Sequence, residues 1–347
     1  MDKFLTRVRK KYGDEVVGEV PEGIRVIPTG ITSLDVSLGI GGIPKGRISL
    51  IYGAESSGKT TLALEICKQA LKQGEKVLYL DSEQALDLQY AYKIFGDISV
   101  GNFTLLQLDT AEDTLEIVEM GVRGNEKFEV EAGEWGLIVV DSIDLLAPKK
   151  EKYKDELTDD NYALVAKLMT KFTRRNAFDL RTKDTALLFI GQVRDKIGGF
   201  ARGYTMTGGH ALLHAAAIII FLSRVGVIKE NDEPTGILSK FLIKKNKLGT
   251  PFRQWDQLPI MFEEGVDYYK DLVEFAKLLG ILRTAGSFYK FGDETLGQGY
   301  AKTRETLEND EELLDKIRNM CYNTRNIKVI EEFENEKDDY DGEDLSD

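Results

Sequence analysis

The sequence predicts an α/β fold with a mostly parallel sheet and helices on both faces. Three observations carry that prediction. Apolar strand-like runs alternate with helix-like runs from residue 47 to residue 191, the pattern of successive βα units. The first of these strands runs through a glycine-rich loop into a helix. Two of the apolar strands end in acids, Asp81 and Asp141, where open α/β sheets carry their site residues.

The elements follow in order. Residues 2–12 read as a short amphipathic helix with Phe4, Leu5 and Val8 on one side. It has little of its own to pack against, so it suits a neighbouring subunit. Gly18–Pro28 reads as an extended linker or strand. Thr32-Ser33-Leu34-Asp35 starts a helix that ends at Gly39, and Gly41-Gly42-Ile43-Pro44 is a turn. The alternation then gives a strand at 47–52, a helix at 60–73, a strand at 77–81 and a helix at 85–94. A strand near 104–108, a helix at 111–122, a strand at 137–140, a helix at 161–178 and a strand at 185–191 complete it. Beyond that the chain turns strand-rich, at 215–222, 238–244 and 257–262, and these strands are expected to extend the sheet as antiparallel neighbours. Residues 267–322 read as a small helical module with a Gly-Asp turn at 292–293. No internal repeat is visible.

Composition narrows the function classes. The chain has 347 residues, 42% hydrophobic and 30% charged, ordinary for a globular protein. No apolar run approaches a membrane span, and the N-terminus lacks the apolar core of a signal peptide. The two cysteines, Cys67 and Cys321, make neither a disulfide framework nor a zinc site, and Cys67 reads as a small core residue. A cytoplasmic location is expected. The net charge of −13 argues at first against nucleic acid, but residues 331–347 hold ten acids and one base and leave only −4 on the rest. That tail is expected to be disordered, either as a solubilising appendage or as an electrostatic competitor for DNA.

The chemistry concentrates at strand ends. Gly53-Ala54-Glu55-Ser56-Ser57-Gly58-Lys59-Thr60 has the strand–loop–helix context of a phosphate-binding loop. Its backbone N–H groups and the following helix N-terminus form a polyphosphate site. Lys59 can reach the β/γ-phosphates and Thr60 can offer its hydroxyl to Mg²⁺. Glu83, just beyond the strand ending at Asp81, can orient and deprotonate a water. Asp141 closes Leu137-Ile-Val-Val and suits Mg²⁺ support beside the loop, with a helix-capping role as the alternative. Gln192 ends another buried strand and places an amide where it can report on the γ-phosphate. Residues 193–209 are long, glycine-rich and basic, with Arg194, Lys196 and Arg202 beside Ile197 and Phe200. Such a loop suits single-stranded DNA through phosphate contacts and wedges between bases, or is a mobile surface loop. His210 and His214 share a helical face, but no third ligand completes a metal site.

With these residues in hand, the chain resembles the bacterial and phage RecA-type homologous recombinases over roughly residues 1–325. The likeness rests on Thr32-Ser33-Leu34-Asp35 with Leu38-Gly39, Gly53–Thr61, Asp81–Asp87, Val139-Val-Asp-Ser142, Gln192–Gly198 and Thr207-Gly208-Gly209. It continues through Lys245-Asn246-Lys247, Pro251-Phe252, Glu264-Gly265, Ala285-Gly286 and Gly297-Gln298-Gly299. The resemblance implies a P-loop ATPase core with a short N-terminal helical arm and a small C-terminal α/β module. It implies ATP and Mg²⁺ as cofactors, with Glu83 as the hydrolytic base. Asp87 and Tyr90 match adenine contacts, and Gln192 matches the amide that couples the γ-phosphate to the DNA loop. Lys245 and Lys247 match lysines that reach a neighbour's phosphates across a filament interface. Arg194, Ile197, Gly208 and Gly209 match the second DNA loop. Arg174 matches a basic residue near the first, and Lys167 stands where the family has an arginine.

The chain departs from the family in places. The first DNA loop, around Lys149–Asp160, has no glycine and is acidic at its end. His214 stands at a phenylalanine position, and Thr284 and Tyr300 at lysine positions, with Arg283 and Lys302 adjacent. The resemblance implies an oligomerisation arm at 1–30, the core at 31–266, the module at 267–330 and the tail at 331–347. The expected activity is DNA-dependent ATP hydrolysis with strand exchange in recombination, repair and the SOS response. The expected partners are single- and double-stranded DNA, further copies of the chain in a helical filament, and single-strand-binding and loader proteins, with no membrane. The rival readings are a ring-forming helicase-like motor and a regulatory co-protease scaffold.

Overall fold

Ile48-Ser-Leu-Ile-Tyr-Gly53 is buried at every position, as a strand can be only when both faces of its sheet are covered. In the computed structural model, residues 6–7, 10–11, 23–152, 162–195, 204–206, 209–251 and 253–324 are described. The expected acidic tail at 331–347 lies outside them, as do most of the expected N-terminal arm and residues 153–160 of the expected first DNA loop.

The chain enters through β1 (Val26–Ile27), α1 (Thr32–Leu38) and β2 (Ile43–Pro44), with β1 and β2 antiparallel. Next come β3 (Ile48–Gly53), α2 (Lys59–Lys72), β4 (Val77–Asp81), α3 (Leu88–Phe95), β5 (Phe103–Leu106) and α4 (Ala111–Arg123). They are followed by β6 (Leu137–Asp141), α5 (Tyr162–Lys183), β7 (Ala186–Asp195), β8 (Tyr204–Met206) and α6 (Gly209–Ala215). The long strands β9 (Ile218–Glu230) and β10 (Glu233–Asn246) precede β11 (Gln254–Met261) and β12 (Gly265–Val266). The large sheet runs β12-β11-β10-β9-β3-β7-β6-β4-β5, with β8 on the end of β7.

Two apolar layers sandwich this sheet. Alternate strand residues face opposite ways, so Ile51 and Val139 join α2 and α3 on one face, while Leu50 and Val140 join α4, α5 and α6 on the other. Each fully buried Leu, Ile or Phe contributes about 1.5–3 kcal/mol, which explains why the strands read as unbroken apolar runs. The buried Cys67 lies on α2.

The structure differs from the sequence expectation at several elements. The helix expected at 85–94 begins at Leu88, because Asp87 caps it and accepts from the amides of Gln89 and Tyr90. The helix expected to end at 178 continues to Lys183, since Leu180 still packs in the core. β9 and β10 are far longer than expected. They meet at Asn231 and Asp232, with φ of 51° and 67°, the positive values that a two-residue hairpin turn requires. β9 is parallel to β3, not antiparallel, because α6 serves as its crossover. The antiparallel part starts only at β10.

The C-terminal module is α/β, not purely helical. α7 (Tyr268–Leu278) leads into a three-stranded antiparallel sheet of β13 (Leu282–Ala285), β14 (Phe288–Phe291) and β15 (Glu294–Gln298). Gly292, with φ of 60°, makes the β14–β15 turn at the expected Gly-Asp. α8 (Gly299–Asn309) and α9 (Glu311–Asn323) close the module, and Cys321 is buried on α9.

Core and module share an apolar cluster, with Trp255 of β11 edge-on to Phe275 of α7 at 5.4 Å. Three buried carboxylates sit at this junction. Asp35 accepts from the Thr29 amide and hydroxyl, both at 2.8 Å, from the Gly30 amide at 3.2 Å and from the Tyr322 hydroxyl at 3.1 Å. Asp271 accepts from the Ser33 amide and hydroxyl. Glu65 accepts from the Val266 amide and the Tyr268 hydroxyl. Burial pushes Asp35 up to about 7 and Asp271 up to about 6, and it raises Glu65 as well.

Candidate active site

The register of the sheet lines up the predicted residues. Gly53 pairs with Gln192 across β3 and β7, and Asp81 pairs with Asp141 across β4 and β6. Four strands therefore end in one row at the carboxyl edge of the parallel sheet, where α/β proteins bind ligands.

The loop leaving β3 is shaped by two glycines. A Cβ on Gly53 would lie 2.1 Å from the Leu222 carbonyl oxygen of β9. Gly58 has φ of 91°, and a Cβ there would lie 2.3 Å from Ile260 Cδ1 of β11. Ser239 of β10 donates to the Ser57 carbonyl at 3.0 Å, and Ser57 donates to Ala54 at 2.8 Å. The loop is thus fixed from below, while Ala54, Glu55 and Ser56 stay exposed. The 14-residue α2 begins at Lys59 and directs its unpaired N-terminal amides into the loop.

Lys59 is buried and donates to the Ala54 carbonyl at 2.8 Å. Burial lowers its pKa, and Asp141, Glu83, Asp144 and Glu55 oppose that. Thr60 donates to Asp141 Oδ2 at 2.9 Å, and the Tyr79 hydroxyl donates to the same oxygen at 2.6 Å. Burial raises the Asp141 pKa and the two hydroxyls pull it down, while Glu83 and Asp81 push it up again. A hydroxyl and a buried carboxylate side by side, ringed by further carboxylates, form a hard oxygen donor set that fits Mg²⁺.

Glu83 is half-buried and accepts from the Ser142 hydroxyl at 2.5 Å. The Gln192 amide nitrogen lies 3.5 Å from the same Glu83 oxygen. Asp81 itself is structural. It accepts from the Leu86 amide and the Gln107 side chain and so shapes the turn that presents Glu83. A glycine-rich loop, a hydroxyl–carboxylate pair, a second carboxylate and an amide therefore stand in one place, an arrangement chemically able to support metal-assisted hydrolysis of a nucleoside triphosphate.

Other predicted residues are placed differently. Tyr90 stands against the first turn of α2, its hydroxyl 2.9 Å from that of Thr61. Asp87 is exposed and engaged as the α3 cap. Lys245 and Lys247 do not join the row. Lys245 donates to the Leu213 and His214 carbonyls at 2.6 and 3.1 Å, and Lys247 to His214 at 2.8 Å, at the C-terminus of α6. Lys245 is level with Ile219 and hence with Leu50 of β3, toward the end where β3 begins. Burial and the neighbouring Lys247 lower Lys245 to about 8. Both histidines are exposed on α6.

Lys167, Lys171 and Arg174 are exposed on α5, spaced to share one face. The backbone of Arg194 pairs with Thr205 in the β7–β8 hairpin, and Gly209 opens α6. Lys196, Ile197, Arg202 and Gly208 lie outside the described residues. Sequence reasoning missed Tyr79, Ser142, Asp144 and Ser239. Tyr79 is hidden inside an apolar strand, and only Asp144, an acid three residues past Asp141, carried any signal.

Comparison with known proteins identifies the family. The RecA N-terminal domain family matches residues 1–267 and the RecA C-terminal domain family matches 270–324. Protein RecA of Thermus aquaticus is 40% identical over 324 residues, 92% of either chain. Protein RecA of Aquifex aeolicus is 37% identical over 322 residues, 91% of this chain and 90% of that one. A crystal structure of the RadB recombinase, 20% identical, shares the fold with a TM-score of 0.51 over 70% of this chain and 98% of its own. Matched along both its large and its small part, and by relatives of similar length, the chain belongs to the RecA family.

Proposed function

We propose that Lys59, Thr60, Glu83, Asp141 and Gln192 form the hydrolytic and signalling centre of this protein. As a RecA-family recombinase it is a DNA-dependent ATPase with strand-exchange activity, uses ATP with Mg²⁺, binds DNA and forms filaments. The observation that carries the residue assignment is the 2.9 Å contact of Thr60 with Asp141, with Glu83 held one serine away.

In this reading Lys59 exchanges its Ala54 carbonyl for a phosphate oxygen. Gly53–Thr61 cradle the polyphosphate with backbone amides, and Tyr90 with Asp87 borders the base. Thr60 and Asp141 would hold Mg²⁺, which would supply positive charge to neutralise the phosphates. Ser142 orients Glu83, whose carboxylate takes a proton from the attacking water. Gln192 stands between Glu83 and the strand that leads to the DNA loop.

Lys245 and Lys247 rest on the last carbonyls of α6 and not on Gly53–Thr60, which supports a role on the phosphates of a neighbouring subunit. Lys167, Arg174, Arg194, Lys196, Ile197, Arg202, Gly208 and Gly209 are the proposed DNA contacts. The proposed division is an arm at 1–30, a core at 31–266, a module at 267–330 and an acidic tail at 331–347. Single-strand-binding and loader proteins are proposed helpers, and the cytoplasm the proposed compartment. No helix among the described residues is long and apolar enough to cross a membrane.

The test is a pair of variants. Lys59→Ala should abolish ATP binding. Glu83→Gln should keep binding and trap long-lived filaments without turnover. Substantial DNA-stimulated hydrolysis by Glu83→Gln would overturn the assignment of the base.

A further inference from the structure

β7 leaves the large sheet in two steps. Its ladder to β6 ends at Phe189 opposite Val140, and its ladder to β3 ends at Gln192 opposite Gly53. Beyond that point only β8 pairs with it, through residues 193–195. At the exit, the Gln192 backbone N–H donates to Asp144 Oδ2 at 2.5 Å. Asp144 lies in the single turn Ile143–Leu145 that follows β6. That turn packs on Gly191, where a Cβ would lie 3.2 Å from Ile143 Cδ1 and 3.6 Å from Asp144 Oδ2. A side-chain carboxylate thus continues the hydrogen bonding of β7 past the end of its neighbour strand.

The four consecutive residues 141–144 reach from the loop helix to β7. Asp141 holds Thr60, Ser142 holds Glu83, Ile143 packs on Gly191, and Asp144 holds the backbone of Gln192. The Gln192 side chain in turn reaches toward Glu83 at 3.5 Å, a distance that a small backbone shift would open or close. A charged acceptor on a backbone amide is among the stronger single tethers available.

We propose that Asp144 is a positioning residue that couples the nucleotide site to the DNA loop. It fixes the backbone of Gln192 so that the amide meets Glu83, and it ties the strand entering the loop to the segment that carries Asp141. The proposal rests on the reading of Glu83 and Gln192 given above.

Asp144→Ala, Asp144→Asn, Gln192→Ala and the double variant Asp144→Ala/Gln192→Ala test it. The measurements are ATP turnover with and without single-stranded DNA, KM for ATP, and thermal melting. An asparagine carbonyl can accept the same N–H, whereas alanine cannot. Asp144→Ala should lower the ratio of DNA-stimulated to DNA-free turnover about tenfold, the size of one charge-assisted hydrogen bond, with a smaller change in KM. Asp144→Asn should restore most of that ratio at a similar melting temperature. Adding Asp144→Ala to Gln192→Ala should cost nothing further in the ratio. A wild-type ratio in Asp144→Ala would overturn the proposal. So would Asp144→Asn, folded, being as impaired as alanine, or full additivity in the double variant. Glu83→Gln, run alongside, separates the two levels: if it still turns over, the underlying site reading fails, and if it is inactive while Asp144→Ala is normal, only the coupling fails.

Discussion

Asp141 is a buried carboxylate held by two hydroxyls, those of Thr60 and Tyr79. Removing one leaves a buried acceptor short of a donor, which costs about 1–3 kcal/mol. Tyr79→Phe keeps the ring and deletes only the hydroxyl, so urea unfolding should show a loss of that size. Gly53 is constrained more sharply. The atom a Cβ would strike is the Leu222 backbone carbonyl, at 2.1 Å, which cannot swing aside. Gly53→Ala should therefore cost at least about 1–3 kcal/mol and weaken ATP binding measured by calorimetry. The glycines, Lys59, Thr60 and Asp141 were legible in the sequence because loop, helix start and strand end are local patterns. Tyr79 and Asp144 were not, because a side chain's partner 62 or 48 residues away is settled by strand order.

At the scale of elements, the parallel core was legible because each strand buries both faces and must be apolar throughout. The β9–β10 hairpin was not. Its outer part alternates exposed and half-buried residues around Gly226 and ends in an Asn-Asp turn, so no apolar run marks it. α6 matters more than its seven residues suggest. It reverses the expected direction of β9, and its last carbonyls hold Lys245 and Lys247. A cation at a helix C-terminus is favoured, but Lys245 has been lowered to about 8 by burial and by Lys247. If the pair works across a subunit boundary, ATP turnover should rise cooperatively with protein concentration. It should also fall as the pH climbs through about 8 and Lys245 loses its proton. Lys245→Arg, which stays charged, should carry activity to higher pH in a pH–rate profile. A pH-independent assembled activity between pH 7 and 9 would contradict the charge requirement.

At the scale of the whole molecule, core and module are joined through buried acids. Asp35 and Asp271 sit at about 7 and about 6 against an ordinary 3.8. A carboxyl raised on folding stabilises while it keeps its proton. The contribution is complete below about pH 4 and is lost as the pH rises through 6 and then 7. Each pH unit between the ordinary and the raised value is worth about 1.4 kcal/mol, so Asp35 carries a few. Asp35→Asn should flatten the upper part of this dependence, read from Trp255 fluorescence in a Trp135→Phe background during urea unfolding at pH 5 to 8. The tail adds a second electrostatic element, with −9 on residues 331–347. Truncation after Ile330 should tighten duplex binding and lower the Mg²⁺ needed for strand exchange in a titration, since only charges within about 8–10 Å act at physiological salt. The two cysteines give core and module separate clocks. Both thiols are shut away, and burial pushes Cys321 up to about 12 and Cys67 higher still, so a thiol reagent meets either only during an opening. Cys67 on α2 counts excursions of the nucleotide core, and Cys321 on α9 counts those of the module. Bound ATP should slow labelling of the first and spare the second, so the two rates report whether the molecule breathes as one body or two.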